Sequence, residues 1–240
     1  MKKELSIILP VFNEKESLST MVRLLKSSLD FENEILIIHD HKDDNSIIEA
    51  KKLEKELSNI KVIHNDIHPG VRFAIDKGVN EAKHEIILIT VVDDIFPIMA
   101  INEMIKLITD NNFEFVSGTR YSKGGKRLGG SLLGLILSKV ANKLFKLLTN
   151  FPLSDCTTGI KMMKKEVWKK IKLEAKPIGW AFAFELSIKV FLENYKITEV
   201  PFKSVDRLFG GSSTFKPWSW FNEYLKWFFW GYKKIRKIKN

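Results

Sequence analysis

Glu85-Ile86-Ile87-Leu88-Ile89-Thr90-Val91-Val92-Asp93-Asp94-Ile95-Phe96-Pro97 runs from apolar, largely β-branched residues into two adjacent carboxylates and then a proline. A run of that kind predicts a buried strand whose last residues emerge at the edge of a sheet. In open α/β sheets ligands sit just beyond the carboxyl ends of strands. Asp93 and Asp94 would then stand where a phosphate-bearing ligand and its divalent ion are met, because hard cations prefer carboxylate oxygens. The competing reading is structural: the pair caps a helix starting near Pro97, since Asp favours first turns. The stretch by itself leaves both readings open.

Outward from this strand, apolar runs and helical periodicities alternate. Strands are predicted at Leu5–Pro10, Glu34–His39, Ile60–His64, Phe113–Ser117 and Lys196–Val200. Helices are predicted after Glu14 with Leu18, Met21, Val22 and Leu25 on one face, then over Ile47–Leu57, Gly70–Ala82, Pro97–Ile108, Leu132–Leu148 and Ala181–Glu193. Close alternation of this kind predicts an α/β fold, a mostly parallel sheet with right-handed crossovers and helices on both faces. Ser122–Gly130, Asp155–Lys161 and Asp206–Lys216 read as loops, the first and last rich in glycine and basic residues. With no internal repeat or low-complexity linker, one domain over 1–215 and a carboxyl-terminal tail over 216–240 is the economical division.

At 240 residues with 45% hydrophobic content the chain can build a real core. Its 39 Lys and Arg against 29 Asp and Glu give a formal charge of +10, which predicts an anionic partner. Nucleic acid is the weakest candidate, because the basic residues gather in loops and tail without a recognition motif. The single Cys156 excludes an internal disulfide and fits a reducing compartment. The amino terminus lacks the apolar core of a signal peptide, and no run of apolar residues is long enough to span a bilayer. A cytoplasmic protein is expected.

Three features fall at carboxyl ends of predicted strands: Asn13-Glu14, Asp40 and Asp93-Asp94. Parallel strands would gather them on one acidic edge suited to a metal-bridged diphosphate. The glycine fingerprint of nicotinamide and flavin sites is absent, and so is a P-loop lysine motif. The five histidines form no spaced metal pair on a helix. Glu185, inside the apolar Ala181–Leu186 run, is costly to bury unless it is paired or functional, and both readings stay open. Arg120, Lys123, Lys126, Arg127, Arg207 and Lys216 lie in loops that let guanidinium forks and backbone amides approach phosphate oxygens. Four tryptophans (Trp218, Trp220, Trp227, Trp230) precede the basic end Lys233–Lys239. Rings followed by cations suit a helix in the headgroup layer of an anionic membrane, or a helix packed back on the domain.

Taken together these residues resemble the inverting GT-A glycosyltransferases of family 2, in the branch of the dolichyl-phosphate mannosyltransferases. The resemblance runs over about residues 4 to 232. It is carried by Ile8–Glu14, by Glu34–Ser46, by Gly70, Ala74, Gly78 and Ala82, by Val92-Asp93, Gly118–Tyr121, Ser154–Gly159, Phe184–Leu186, Val200-Pro201 and Val205–Arg207, in that order. It implies transfer of a sugar from a nucleotide diphosphate sugar to a polyprenyl phosphate or related membrane-bound acceptor, at the cytoplasmic face of the membrane. It implies that Pro10, Phe12, Glu14 and Asp40 hold the nucleotide and that Asp93 faces a divalent ion, Mg2+ or Mn2+. Arg120, Arg127, Ser131 and Arg207 are implied to meet the acceptor phosphate, and Asp93, Asp155, Glu185 and Arg207 to form the catalytic set. The chain departs from the family pattern at Val91, where a first metal carboxylate is expected, and at His39 and His41-Lys42 around Asp40. A soluble family 2 transferase acting on a glycan hydroxyl would instead need Asp155 or Glu185 as a base. A non-catalytic nucleotide-binding subunit is the third reading.

Overall fold

The computed structural model describes residues 2–205 and 217–239. The element order is β1 (Glu4–Val11), α1 (Lys15–Ser28), β2 (Glu32–His39), α2 (Ser46–Glu56), β3 (Ile60–His64), α3 (Val71–Glu81), β4 (Ile86–Ile89), α4 (Ile98–Thr109) and β5 (Phe115–Thr119). It continues with β6 (Lys126–Leu128), α5 (Leu132–Thr149), β7 (Lys161–Lys164), α6 (Lys165–Lys170), α7 (Ala181–Leu192), β8 (Ile197–Pro201), β9 (Lys203–Val205) and α8 (Pro217–Lys239). Seven strands form one sheet in the order β3-β2-β1-β4-β7-β5-β8.

Strand residues alternate between two cores, as a period of two requires. Ile7 and Leu9 of β1 meet Leu18, Met21 and Val22 of α1 and Met104 and Ile105 of α4 on one face. Ile8 of β1 and Leu36 and Ile38 of β2 meet Ala74, Ile75 and Val79 of α3 on the other, in a core that includes Phe182 and Leu186 of α7. The small-residue spacing on α3 is a packing device: a Cβ at Gly78 would come 2.7 Å from Ile8 Cγ2. The chain winds outward from β1 to β2 and β3, then crosses to β4 on the other side of β1. That reversal opens a crevice beyond the carboxyl ends of β1 and β4.

Three strands escape the sequence reading, β6, β7 and β9. β7 lies antiparallel between β4 and β5, pairing Ile86 with Lys164 and Ser117 with Lys161. Its four residues, Lys-Met-Met-Lys, offer two apolar positions between lysines, too little for periodicity to register as a buried strand. The glycine-rich segment expected to lack regular structure also contains β6, which pairs in parallel with β9 and sets Arg127 opposite Ser204. The strand expected to run into Asp93 ends at Ile89, so the two carboxylates sit on the loop before α4.

The tail forms α8, and its inner face packs on α5 and α7. Trp227 and Ile235 are buried in the core shared with Phe145 and Ile188. A Cβ at Gly231 would come 2.6 Å from Ile188 Cδ1. The Lys189 ammonium lies 5.3 Å from the Trp227 ring centroid and 5.6 Å from that of Trp230. Much of the aromatic surface expected to meet a membrane is therefore used in packing; Phe221 and Phe229 stay exposed. Among the described residues no helix is long and apolar enough to cross a membrane.

Candidate active site

A cleft of ≈ 1370 Å³ opens over the carboxyl edge of the sheet, between the β1–α1, β2–α2 and β4–α4 loops on one side and α5 and α8 on the other. Pro10, Phe12, Glu14, Asp40, Asp93, Arg120, Arg127 and Ser131 all line it. Carboxylates brought from three separate loops thus share one hollow with two arginines.

The donor-side loops hold one another. Helix α1 has no capping side chain of its own, and the backbone N–H groups that lead into it are met from the β2–α2 loop and the first residue of α2. Asn13 N–H donates to Asp44 Oδ1 (3.0 Å), Glu14 N–H to Ser46 Oγ (2.8 Å) and Lys15 N–H to Asn45 Oδ1 (3.2 Å), and Asn45 N–H returns a bond to Asn13 Oδ1 (3.3 Å). Asp40 is fixed in turn: its Oδ1 accepts from Asn65 Nδ2 and its Oδ2 from Gly70 N–H, both at 2.7 Å. Phe12, half exposed, meets the His41 ring edge-on with centroids 5.5 Å apart. That gives the mouth of the cleft a flat apolar face beside Asp40.

Asp93 and Asp94 part ways. Asp94 Oδ1 accepts from Phe96 N–H (3.2 Å) and Val205 N–H (3.3 Å), tying the loop to β9. Burial raises its carboxyl above the ordinary range, against the hydrogen bonds from Ser204, Val205 and Phe96. Asp93 is the less buried of the two. Among the described residues no three His, Cys, Asp or Glu side chains are grouped to hold a metal ion. A single carboxylate nevertheless fits a hard cation that takes its other oxygens from a diphosphate and water, as Mg2+ sites with substrate phosphates do.

Arg120 is held by Asp155, which is fully buried behind it. Arg120 Nε donates to Asp155 Oδ2 at 2.7 Å and Nη2 to Oδ1 at 3.0 Å, a bidentate fork; the Arg120 N–H adds a third bond at 3.2 Å. Burial opposes charge on Asp155, but the Arg120 guanidinium and its hydrogen bonds outweigh it, helped by Lys161, and the carboxyl lies below its ordinary value. Lys161 is itself fully buried, donating to Ser117 Oγ at 2.7 Å. Burial pushes its ammonium down to about 8, with Asp155 resisting and Arg120 assisting. Ser131 caps α5, accepting from Gly134 N–H at 3.3 Å. It follows Gly129 and Gly130, both at φ 73°, a left-handed turn that side chains resist. An 18-residue helix thus points its positive end into the cleft beside Arg120 and Arg127.

Two members of the expected catalytic set do not line the cleft. Asp155 reaches it only through Arg120. Glu185 is fully buried, accepting from the N–H groups of Glu174 and Ala175 at 2.7 Å each and pairing with Lys189 Nζ at 2.7 Å. Its cost of burial is met by these partners, which favours the structural reading. Arg207 lies outside the described residues. Asn65, Asp44, Ser46 and Thr157, none of which is assigned a role from sequence, are polar side chains whose work appears only when distant loops meet.

The folded chain resembles solved glycosyltransferases. Glucosyl-3-phosphoglycerate synthase of Mycobacterium tuberculosis, in complex with UDP, superposes with a TM-score of 0.72 at 15% identity, over 96% of this chain and 80% of that one. This is the GT-A fold expected from the resemblance. In sequence, the dolichol-phosphate mannosyltransferase of Pyrococcus furiosus is 28% identical over 202 residues, 83% of this chain and 56% of that protein. The polyprenol monophosphomannose synthase of Mycolicibacterium smegmatis is 26% identical over 210 residues, 86% of this chain and 79% of that protein. The chain thus spans little more than half of the Pyrococcus furiosus protein it matches. A model of the glycosyl transferase family 2 domain matches residues 6–172, most of the sheet and the donor side of the cleft included, and the chain belongs to that family.

Proposed function

We propose that the cleft transfers a sugar from a nucleotide diphosphate sugar to a polyprenyl phosphate or related membrane-bound acceptor, with inversion at the anomeric carbon. The observation that carries this reading is the division of charge within one hollow: Glu14, Asp40 and Asp93 on one side, Arg120, Arg127 and the amino end of α5 on the other. Pro10, Phe12, Glu14 and Asp40 hold the nucleotide, with the Phe12–His41 pair as the apolar face for a base. Asp93 would hold the divalent ion, which would supply charge neutralisation for the leaving diphosphate. Arg120, Arg127 and Ser131 receive the acceptor phosphate, and Arg207 belongs to the same set.

The acceptor oxygen is already ionised at neutral pH, so no general base is needed. It attacks the anomeric carbon as the carbon–oxygen bond to the diphosphate breaks. The protein supplies alignment and fixed charge. The hydroxyl-acceptor reading is weaker on geometry, because Asp155 and Glu185, the two carboxylates it would use as base, are both buried in ion pairs away from the cleft.

In this reading the membrane contact is α5 together with the outer side of α8. Leu132 (72% exposed), Leu133, Ile136, Val140, Leu144 and Leu147 (76% exposed) form an apolar stripe along α5. Val140 and Leu144 also line the cleft, as do the exposed Phe221 and Phe229 of α8. Such a surface, flanked by exposed lysines of both helices, fits the boundary of an anionic bilayer from which a lipid phosphate enters the cleft. Incubation with a panel of labelled sugar nucleotides, Mg2+ or Mn2+ and polyprenyl phosphate is expected to give a labelled lipid. Nucleotide binding without turnover on any lipid or glycan acceptor would leave the non-catalytic subunit instead.

A further inference from the structure

We propose that Ser138 and Asn142 of α5 are positioning residues for Arg120, acting through the hydroxyl of Thr157. The inference rests on the acceptor role given above to Arg120 and deepens it. At 100° per residue, Ser138, Asn142, Phe145 and Thr149 share the face of α5 opposite the exposed apolar stripe. The burial follows: Asn142, Phe145 and Thr149 are buried and Ser138 half-buried.

From that inner face two side chains converge on one oxygen. Thr157 Oγ1 lies 2.9 Å from Ser138 Oγ and 3.0 Å from Asn142 Nδ2. The same oxygen lies 3.0 Å from Asp155 Oδ1 and accepts from Arg120 Nη2 at 3.1 Å. A hydroxyl has one proton and two lone pairs. Arg120 and Asn142 fill its lone pairs, so its one proton is shared between Ser138 Oγ and Asp155 Oδ1, and losing Ser138 turns that proton wholly onto the carboxylate that holds Arg120.

Two further contacts tighten the link. Asn142 Oδ1 accepts from Cys156 N–H at 2.8 Å, so α5 also sets the loop that carries Asp155 and Thr157. Tyr121 Oη donates to Ser138 Oγ at 2.9 Å, and the Arg120 guanidinium carbon lies 5.2 Å from the centre of the Tyr121 ring. Arg120 is thus in contact with two groups, Thr157 and Tyr121, that α5 holds. A guanidinium recognises a phosphate through the plane of its fork, so orientation, beyond charge, decides its affinity.

The test is equilibrium binding of farnesyl phosphate, a water-soluble prenyl monophosphate, alongside binding of a nucleoside diphosphate. Ser138→Ala and Asn142→Ala are expected to weaken farnesyl phosphate binding by about three- to tenfold. Nucleoside diphosphate binding should stay at the wild-type value, and Ser138→Thr, which keeps the hydroxyl, should bind as the wild type. In an Arg120→Lys background Ser138→Ala should cost nothing further, because the group it orients is gone. Ser138→Ala binding farnesyl phosphate like the wild type would overturn the inference. So would an undiminished loss in the Arg120→Lys background, or an equal loss of nucleoside diphosphate binding. Should Asn142→Ala fail to fold, the Ser138 variants carry the test alone. A wild-type protein that binds no farnesyl phosphate would remove the acceptor reading of the cleft and this inference with it; binding with additive variants removes only the inference.

Discussion

Asp155 contributes no atom to the cleft surface and still sets its charge, because the Arg120 guanidinium is oriented by a carboxylate that burial alone would neutralise. Asp155→Asn keeps the shape and removes the charge. Turnover assays should show the acceptor KM rising at least about tenfold with donor affinity unchanged, and denaturant unfolding should show a loss of about 3 kcal/mol for a buried pair left half-made. The pH sign follows from the lowered carboxyl: this stabilisation is fully present above its ordinary value of 3.8 and is lost as pH falls through the lower folded value. Lys161 carries a second signature. Its folded ammonium is depressed to about 8 from 10.5, so its contribution is fully present above 10.5 and is lost as pH falls through about 8. Chemical denaturation on either side of that pH should show wild-type stability rising with pH, and Lys161→Met should lose that part of the rise.

The β1–α1 loop is an element that borrows its cap from another, and this sets how both donor-side loops respond to mutation. Asp44→Ala removes the acceptor for the N–H groups of Asn13 and Ser46. A thermal melt should register about 1–2 kcal/mol of lost stability, and nucleotide binding should weaken because Glu14 and Phe12 follow the same turn. The sequence made the main elements legible where apolar periodicity was long: β1 to β4 and α1 to α5 are found within a few residues of their expected bounds. It hid β7, because strand pairing and not composition buries Lys161 there. The gathering of Glu14, Asp40 and Asp93 was readable because parallel strands align their ends. The roles of Asp155 and Glu185 were not, since a carboxylate that touches a ligand and one that holds an arginine or a loop look alike in a string of letters. The tail rings were expected at a membrane, with packing on the domain as the alternative, and the helix surface of α5, which decides how much packing is available, is a tertiary fact.

At the scale of the whole molecule, a cationic chain brings Glu14, Asp40 and Asp93 to one sheet edge and places its exposed apolar stripe beside the same opening. Replacing Leu132, Leu133 and Leu147 with Glu should weaken association with anionic vesicles by well over tenfold, since each buried leucine contributes about 1.5–3 kcal/mol. The thermal midpoint should hold, because these side chains are exposed in the fold. Unchanged co-sedimentation with vesicles would return the stripe to some other partner. The central claim is that one nucleotide sugar lies between the carboxylate loops with its anomeric carbon turned toward the arginines. The most direct measurement is a crystal structure with a sugar nucleotide and Mg2+. The expected density places the base between Phe12 and Asp40, the ion on Asp93, and the sugar facing Arg120 and Ser131. A nucleotide bound elsewhere, or one whose diphosphate is held by Arg120 while Asp93 stays uninvolved, would contradict it.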